Sequence, residues 1–404
     1  MSGPLDGIRV VEVASWMFIP SGGSVLVDWG ADVIKVEPMT GDPQRGLITS
    51  GLIPGGAGAV NFMVEQPHRG KRSIGIDVAT PEGHEVLMKL VESADVFLTN
   101  YLPPVRRKLE IDTDDLRARN PNIIIARGSG NGPKGPDAEK GGYDGASFWA
   151  RGGMGMTLPE KADGWPQSQP SAAFGDVMGG LTTAGGIAAA LVKRERTGEP
   201  SVVDVSLLAT AMWQLSPMVI ASKLFGFSKI PQGGRVSGNP GVGTYKTSDD
   251  RYISLILLQS DKHWDEFTKR IGKPEMATDP KFCDSAVRAD NAAECVALMD
   301  EAFESQPLSH WVEAFDGFDG VWSPFQTLDE LYEDPQVIAN GYLPTMTAGN
   351  GQEIQLVASP AQFDEVAVNV ERAPEHGEHT ELLLMDLGYD WDQIAAMKES
   401  GAIL

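Results

Sequence analysis

Asp176 stands in Phe174-Gly175-Asp176-Val177-Met178-Gly179-Gly180, a carboxylate at the head of a segment rich in small residues. Two kinds of chemistry fit it. Immediately before a helix, an aspartate caps by accepting from the first free N–H groups, and on residue type alone that is the expected role. Alternatively the carboxylate is a nucleophile: glycines beside it let a thioester approach the backbone, and N–H groups at the helix start stabilise the oxyanion that attack creates. The spacing admits both. Gly179-Gly180 and Gly185-Gly186 cost a helix about 1 kcal/mol per glycine against alanine, so some tight approach must compensate. For the second pair, packing is expected rather than ligand contact.

The remaining candidates are weaker. Gly128-Ser129-Gly130-Asn131-Gly132-Pro133 follows a strand but matches neither a Walker pattern nor a dinucleotide fingerprint. Pro133 and Pro136 prevent a helix from opening there, which predicts a plain loop. His376 and His379 lie three apart without an evident third ligand, so no metal is expected. Nothing points to a Ser-His-Asp triad. Met17, Phe18, Trp149, Met154 and Met178 fit either core or the wall of an apolar acyl pocket.

The elements that must hold these residues read as alternating strands and helices. Residues 8–13 form a β-branched strand, 22–29 a short helix and 32–37 the next strand. Strands follow at 73–78, 95–99 and 122–126. Thr80-Pro81 starts a helix running to about Ser93, with proline at its first position. A helix from Val177 to about Thr197 ends on Gly198. A second long helix is expected from about Val205 to Phe225, then an irregular glycine-rich connection from Gly226 to Gly243. Beyond it come a strand at 252–258 and helices at 263–271 and 291–303. The expected class is α/β with a mostly parallel, Rossmann-like sheet covered on both faces. The expected division is a large domain over 1–200, a linker helix over 201–227, a small inserted α+β domain over 228–319, and a return over 320–404.

The 404 residues carry a formal net charge of −23 and a pI near 4.6. Such a surface repels phosphate backbones and anionic lipids, so no nucleic-acid or membrane partner is expected. Any anion site must be local. Two cysteines, Cys283 and Cys295, cannot make a disulfide framework and fit a reducing cytoplasm. The N-terminus lacks a signal-peptide pattern, and no apolar run is expected to reach the roughly 20 residues of a membrane span.

Several further stretches form an ordered series. It begins with Pro4-Leu5-Asp6-Gly7-Ile8-Arg9-Val10, the run Asp28-Trp29-Gly30-Ala31-Asp32-Val33-Ile34-Lys35-Val36-Glu37, Gly41-Asp42 with Arg45, and Lys71-Arg72-Ser73-Ile74. Pro81-Glu82-Gly83, Ala94-Asp95-Val96, Asn100-Tyr101, Gly142-Tyr143-Asp144 and Gly175-Asp176 continue it, and it ends with Gly377-Glu378-His379-Thr380 and Gly401-Ala402-Ile403-Leu404. Taken in order, these stretches resemble the family III CoA-transferases, the group of formyl-CoA transferase, carnitine CoA-transferase and α-methylacyl-CoA racemase.

The resemblance implies a large domain built from both chain ends, a small inserted domain, and an interlocked homodimer. It implies that Asp176 is the catalytic carboxylate, with Tyr143 beside it, and that the loop at Gly238–Gly243 shields intermediates from water. It implies acyl-CoA and a carboxylic acid as substrates, CoA as co-substrate and no resident cofactor. Met17, Lys71, Arg72, Asn100, Tyr101, Arg107 and Lys108 fall where CoA contacts are expected. Pro38 and Pro104 depart from the family pattern. The racemase branch has a His-Asp pair where this chain has Tyr143-Asp144. A tyrosine of pKa near 10 is a poor base at neutral pH, which favours the transferase over the racemase. A non-catalytic acyl-CoA-binding homologue is the third reading.

Overall fold

The computed structural model describes residues 3–51, 54, 56, 58–227, 236 and 238–404. Gly233 and Gly234 of the glycine-rich connection lie outside the described residues.

The chain divides into two compact units, 1–230 with 335–404, and 231–334. In the larger unit the elements run β1 (Arg9–Val13), α1 (Phe18–Asp28), β2 (Asp32–Glu37), α2 (Phe62–His68), β3 (Arg72–Gly75), α3 (Pro81–Glu92), β4 (Val96–Thr99), α4 (Pro103–Lys108), α5 (Thr113–Arg119) and β5 (Ile124–Ser129). After a π-helical segment, Asp144–Ala150, come α6 (Phe174–Thr197), β6 (Val202–Ser206), α7 (Leu207–Gln214) and α8 (Ser216–Phe225). The smaller unit holds β7 (Val242–Lys246), β8 (Tyr252–Ile256), α9 (Ser260–Arg270), α10 (Ser285–Asp290), α11 (Ala292–Glu304), α12 (Leu308–Ala314) and β9 (Trp322–Pro324). The larger unit resumes with α13 (Pro335–Asn340), β10 (Thr345–Thr347), β11 (Glu353–Gln355), α14 (Thr380–Asp386) and α15 (Trp391–Glu399).

Six parallel strands form the main sheet in the order β3-β2-β1-β4-β5-β6. Alternate side chains turn to opposite faces. Val11, Val13, Ile34, Val36, Phe97 and Ile125 meet apolar residues of α3, α5, α14 and α15 on one side. Val10, Val33, Val96, Leu98, Ile124 and Ala126 meet α1, α6 and α7 on the other. Local signals set the ends of the helices. Thr80 accepts from the Gly83 N–H at 3.1 Å ahead of Pro81, and Gly198 closes α6 in the left-handed region at φ 72°.

Several boundaries differ from expectation. α1 begins at Phe18, four residues before Gly22, and α6 begins at Phe174, which moves Asp176 inside its first turn. The expected helix over 205–225 is a strand and two helices. Val202, Val203 and Val205 pair with β5 and complete the sheet, and the helical run breaks at Leu215, just before Pro217. The return to the larger unit comes at Pro335 rather than 320. Residues 322–324 belong to the smaller unit because Trp322 and Pro324 pair with Leu255 and Ile253 of β8. In that unit β7, β8 and β9 are antiparallel around Tyr245, Phe267, Phe303, Trp311 and Phe315. Of the expected loop at Gly238–Gly243, Val242 and Gly243 are already part of β7.

Contrary to expectation, α6 is long and apolar enough by length and composition to cross a membrane. Here it packs along α1 and the sheet, with Ala184, Ile187, Ala190 and Leu191 buried.

Candidate active site

The strand order reverses direction between β1 and β4, and in open parallel sheets the crevice beyond the strand ends at that point is where ligands bind. A cleft of about 360 Å³ lies there. Ser15 and Trp16 line it from the end of β1, Asn100 and Tyr101 from the end of β4, and Ser129 and Gly130 from the end of β5, together with Tyr143 and Asp176. Its walls are otherwise mostly apolar: Phe18, Pro43, Leu102, Val105 and Leu207.

The loops around it are pinned by short polar contacts. The Asn100 side chain accepts from the Ser15 N–H at 3.1 Å and donates to the Ser15 carbonyl at 2.7 Å. The Trp16 N–H donates to Asp42 Oδ1 at 3.2 Å, holding Trp16 in the left-handed region at φ 70°. The Trp16 and Tyr143 rings meet edge to face with centroids 5.8 Å apart.

Asp176 is the third residue of α6, not its cap. The capping role belongs to Asp144, whose Oδ1 accepts from the Gly175 N–H at 3.0 Å. A Cβ on residue 175 would sit 2.5 Å from that oxygen and collide with the Phe148 ring, so the glycine of the Gly-Asp pair makes room for Asp144. Burial, and then the charge of Asp144, push the Asp176 carboxyl up to about 7. No hydrogen bond among the described residues offsets that shift. A carboxylate lifted this far is a stronger base and nucleophile, and about half of it is ionised near neutral pH. The N–H groups expected to cradle an oxyanion at the helix start are partly committed: Gly175 to Asp144, and Val177 to the Ala173 carbonyl at 3.1 Å.

The glycines pack helices rather than open space for a ligand. A Cβ on Gly180 would lie 2.7 Å from the Gly22 nitrogen, and one on Gly22 would lie 2.9 Å from the Gly180 carbonyl, so α1 and α6 touch backbone to backbone. In the second pair, Gly186 faces Val203, while a Cβ on Gly185 would meet nothing within 4 Å. The loop at 128–133 departs from its plain reading: Ser129 and Gly130 line the cleft, because the edge of β5 ends at the crevice. The signal for this was the strand end rather than the glycines.

Of the expected CoA contacts, Asn100 and Tyr101 reach the cleft. Met17 does not line it and is buried at the start of α1. Lys71 is also elsewhere. It is fully buried, donating to Glu12 Oε2 at 2.7 Å and the Pro20 carbonyl at 2.8 Å, and burial pulls its ammonium down to about 8. Arg72 grips Asp32 from β3. Neither Lys71 nor Arg72 lines the cleft. Arg107 pairs with Glu139 at 2.8 Å and lines a second hollow of about 290 Å³, which shares Tyr101, Leu102, Gly128 and Ser129 with the cleft. Arg106 and Arg127, the latter unforeseen, also line it. Lys108 is exposed.

Of the apolar candidates only Phe18 lines the cleft. Trp149 and Met154 pack on the core, and Met178 is exposed. His376 meets the Pro38 carbonyl at 2.9 Å and His379 accepts from the Ser73 N–H at 3.2 Å, so both tie the last segment to the sheet. No cluster that could hold a metal occurs among the described residues.

A profile described as CoA-transferase family III matches residues 5–380. The chain is similar to the (R)-2-hydroxy-4-methylpentanoate CoA-transferase of Clostridioides difficile, 32% identical over 401 residues and covering 99% of each chain. It is also similar to the cinnamoyl-CoA:phenyllactate CoA-transferase of Clostridium sporogenes, 29% identical, covering 99% of this chain and 97% of that one. A crystal structure of a CaiB/BaiF family protein from Brucella suis superposes with a TM-score of 0.78 at 29% identity, covering 96% of this chain and all of that one. The parallel sheet, the cleft at its switch point and the Gly-Asp pair in its wall thus accompany a match along nearly the whole sequence: the chain belongs to CoA-transferase family III.

Proposed function

We propose that this enzyme moves CoA from an acyl-CoA donor to a carboxylic acid, with Asp176 as the covalent carrier. An Asp176 oxygen attacks the donor thioester carbon, the C–S bond breaks, and an acyl-aspartyl anhydride and a CoA thiolate result. The thiolate attacks the aspartyl carbon of the anhydride, releasing the donor acid and leaving an aspartyl-CoA thioester. The acceptor carboxylate displaces the thiolate from that thioester, forming a second anhydride. The thiolate then attacks the acceptor's acyl carbon, giving the new acyl-CoA and free Asp176. Each step exchanges one activated acyl bond for another, and no external proton donor or metal is needed.

The observation that carries this reading is a half-buried carboxylate in the cleft wall, relieved of capping by Asp144 and raised to about 7. Tyr143, on the same wall, offers a phenol that donates to the substrate carbonyl or carboxylate. Asn100 and Tyr101 face the CoA chain, with Arg107 and Lys108 the outer candidates for its phosphates. Among the described residues no cation lines the cleft, and its walls are aromatic and aliphatic. Those walls, and the branched or aromatic acids in the two relatives' names, support a monocarboxylic substrate with an apolar side chain. By the same reading the working form is an interlocked homodimer in the cytoplasm, without a resident cofactor and without nucleic-acid or membrane partners.

Asp176→Asn and Asp176→Ala are expected to lower turnover at least about a thousandfold with donor affinity changed little. Near-normal turnover in either variant contradicts the role. Racemisation needs a second acid/base group across the α-carbon, and no histidine among the described residues lines the cleft. With a chiral 2-methylacyl-CoA in deuterated water and no acceptor acid, no α-deuterium uptake is expected; uptake would restore the racemase.

A further inference from the structure

Asp144 is almost fully buried, yet it is neither paired with a cation nor at the open face of the cleft. Its one hydrogen bond of good geometry is with the Gly175 N–H at the head of α6. That N–H belongs to the residue just before the nucleophile. A free donor at a helix start attracts the nearest carboxylate, and Asp176, in the same turn, is that carboxylate. The chain has arranged for another acid to take the donor instead. It has also removed the Cβ at 175 that would block the approach, and it holds Ala173 in the left-handed region at φ 60° where the helix begins.

We propose that Asp144 is a positioning residue for the nucleophile: by taking the Gly175 N–H it keeps the Asp176 carboxylate unbonded at the cleft wall, and by its charge it keeps that carboxylate reactive. The inference rests on Asp176 being the acyl carrier. Burial raises the Asp144 carboxyl as well, but contacts with the Gly175 N–H, Gln169 and the Phe174 N–H oppose that rise, whereas nothing opposes it at Asp176, so Asp144 ionises first. The two acids therefore titrate as a coupled pair in which the second proton leaves the nucleophile.

Few other groups compete for this role. The π-helical segment contributes Tyr143 and Asp144 near the head of α6. The one ionisable side chain of α1, Asp28, is at its far end and held by Arg69. α7 carries none. Arg127 and Asp204, on the neighbouring strands, hold each other. The basic residues of α6 itself, Lys193, Arg194 and Arg196, lie in its last turns.

Two substitutions separate position from charge. Asp144→Asn keeps an oxygen for the Gly175 N–H and removes the charge. Asp144→Ala removes both and hands the donor to Asp176. Two readouts are taken for each: the pH profile of kcat, and the pH midpoint at which a carbodiimide labels Asp176, read by peptide mass spectrometry. The labelling midpoint reports protonation of Asp176 without requiring turnover.

In Asp144→Asn both midpoints are expected to move to lower pH, while the plateau kcat stays within about threefold. The shift is partial, because burial, the larger cause, remains. In Asp144→Ala the labelling midpoint falls further, and kcat drops by roughly ten- to a hundredfold with the donor KM little changed. Unshifted labelling midpoints in both variants would overturn the proposal, as would equal loss of plateau kcat in the two. Should Asp176→Asn itself prove active, the carrier assignment fails while the labelling midpoints still test the arrangement.

Discussion

Protonation of Asp176 sets the pH at which the proposed first step can begin, since only the ionised carboxylate attacks. With the carboxyl at about 7, kcat should fall about tenfold per pH unit below roughly pH 6.5 and level off above roughly pH 8. An acid limb centred near pH 4 would contradict this. The same shift bears on stability. A carboxyl raised on folding binds a proton in the native state where the unfolded chain has lost it, so stability declines as pH rises from about 4 to about 7. Asp176→Asn should therefore be more stable than the parent at pH 8, by on the order of a few kcal/mol, with little difference at pH 4. Urea unfolding at both values measures the gap, and an equal gap at both refutes the buried, unpaired carboxylate. At this scale the sequence was only partly legible. Gly175-Asp176 stood out through its resemblance to the family, whereas its own residue type pointed to a cap. That cap is Asp144, 31 residues away, and no local pattern announces it. Lys71 reads as a CoA contact in the sequence because Glu12, the partner that holds it, is 59 residues distant.

Between elements, α1 and α6 meet backbone to backbone at Gly22 and Gly180. Gly180→Ala would drive a methyl group into Ser21 and the Gly22 nitrogen and should destabilise by about 1–3 kcal/mol. Gly185→Ala, exposed and with nothing within 4 Å, should stabilise by about 0.5–1 kcal/mol through the unfolded chain. Thermal melts of the two variants check the contrast, and shifts of the same sign would contradict the packing. The strands β1, β2 and β4 were readable from β-branched runs, and α3 from Thr80-Pro81. β6 was not, because its valines run straight into the apolar face of α7 without a turn residue between them. Pro217 marks the break between α7 and α8, but the apolar pattern runs on through it and reads as one helix.

For the whole molecule, what decides function is the order of strands, β3-β2-β1-β4-β5-β6, since the switch between β1 and β4 creates the cleft. Alternation of strands and helices predicts a parallel sheet but not which strands are neighbours, so the site's location had to come from the fold. The proposed homodimer has a physical correlate in α8, which buries none of its residues within one chain. Leu224 and Phe225 are 70% and 77% exposed, and Trp213 of α7 is 79% exposed. An apolar helix this open in a chain of charge −23 needs cover. Light scattering should give about twice the chain mass of 43.3 kDa. The double substitution Ile220→Glu, Phe225→Glu should lower it toward one chain mass. A monomeric parent at micromolar concentration would contradict the dimer.

In the proposed reaction Asp176 carries first the acyl group and then CoA. Incubating the enzyme with a donor acyl-CoA in the absence of acceptor, followed by digestion and mass spectrometry, tests it directly. An acyl or CoA adduct is expected on the peptide bearing Asp176, converted to the hydroxamate by hydroxylamine and missing from Asp176→Asn. An active enzyme with no adduct at Asp176, or with the adduct on another residue, would contradict it.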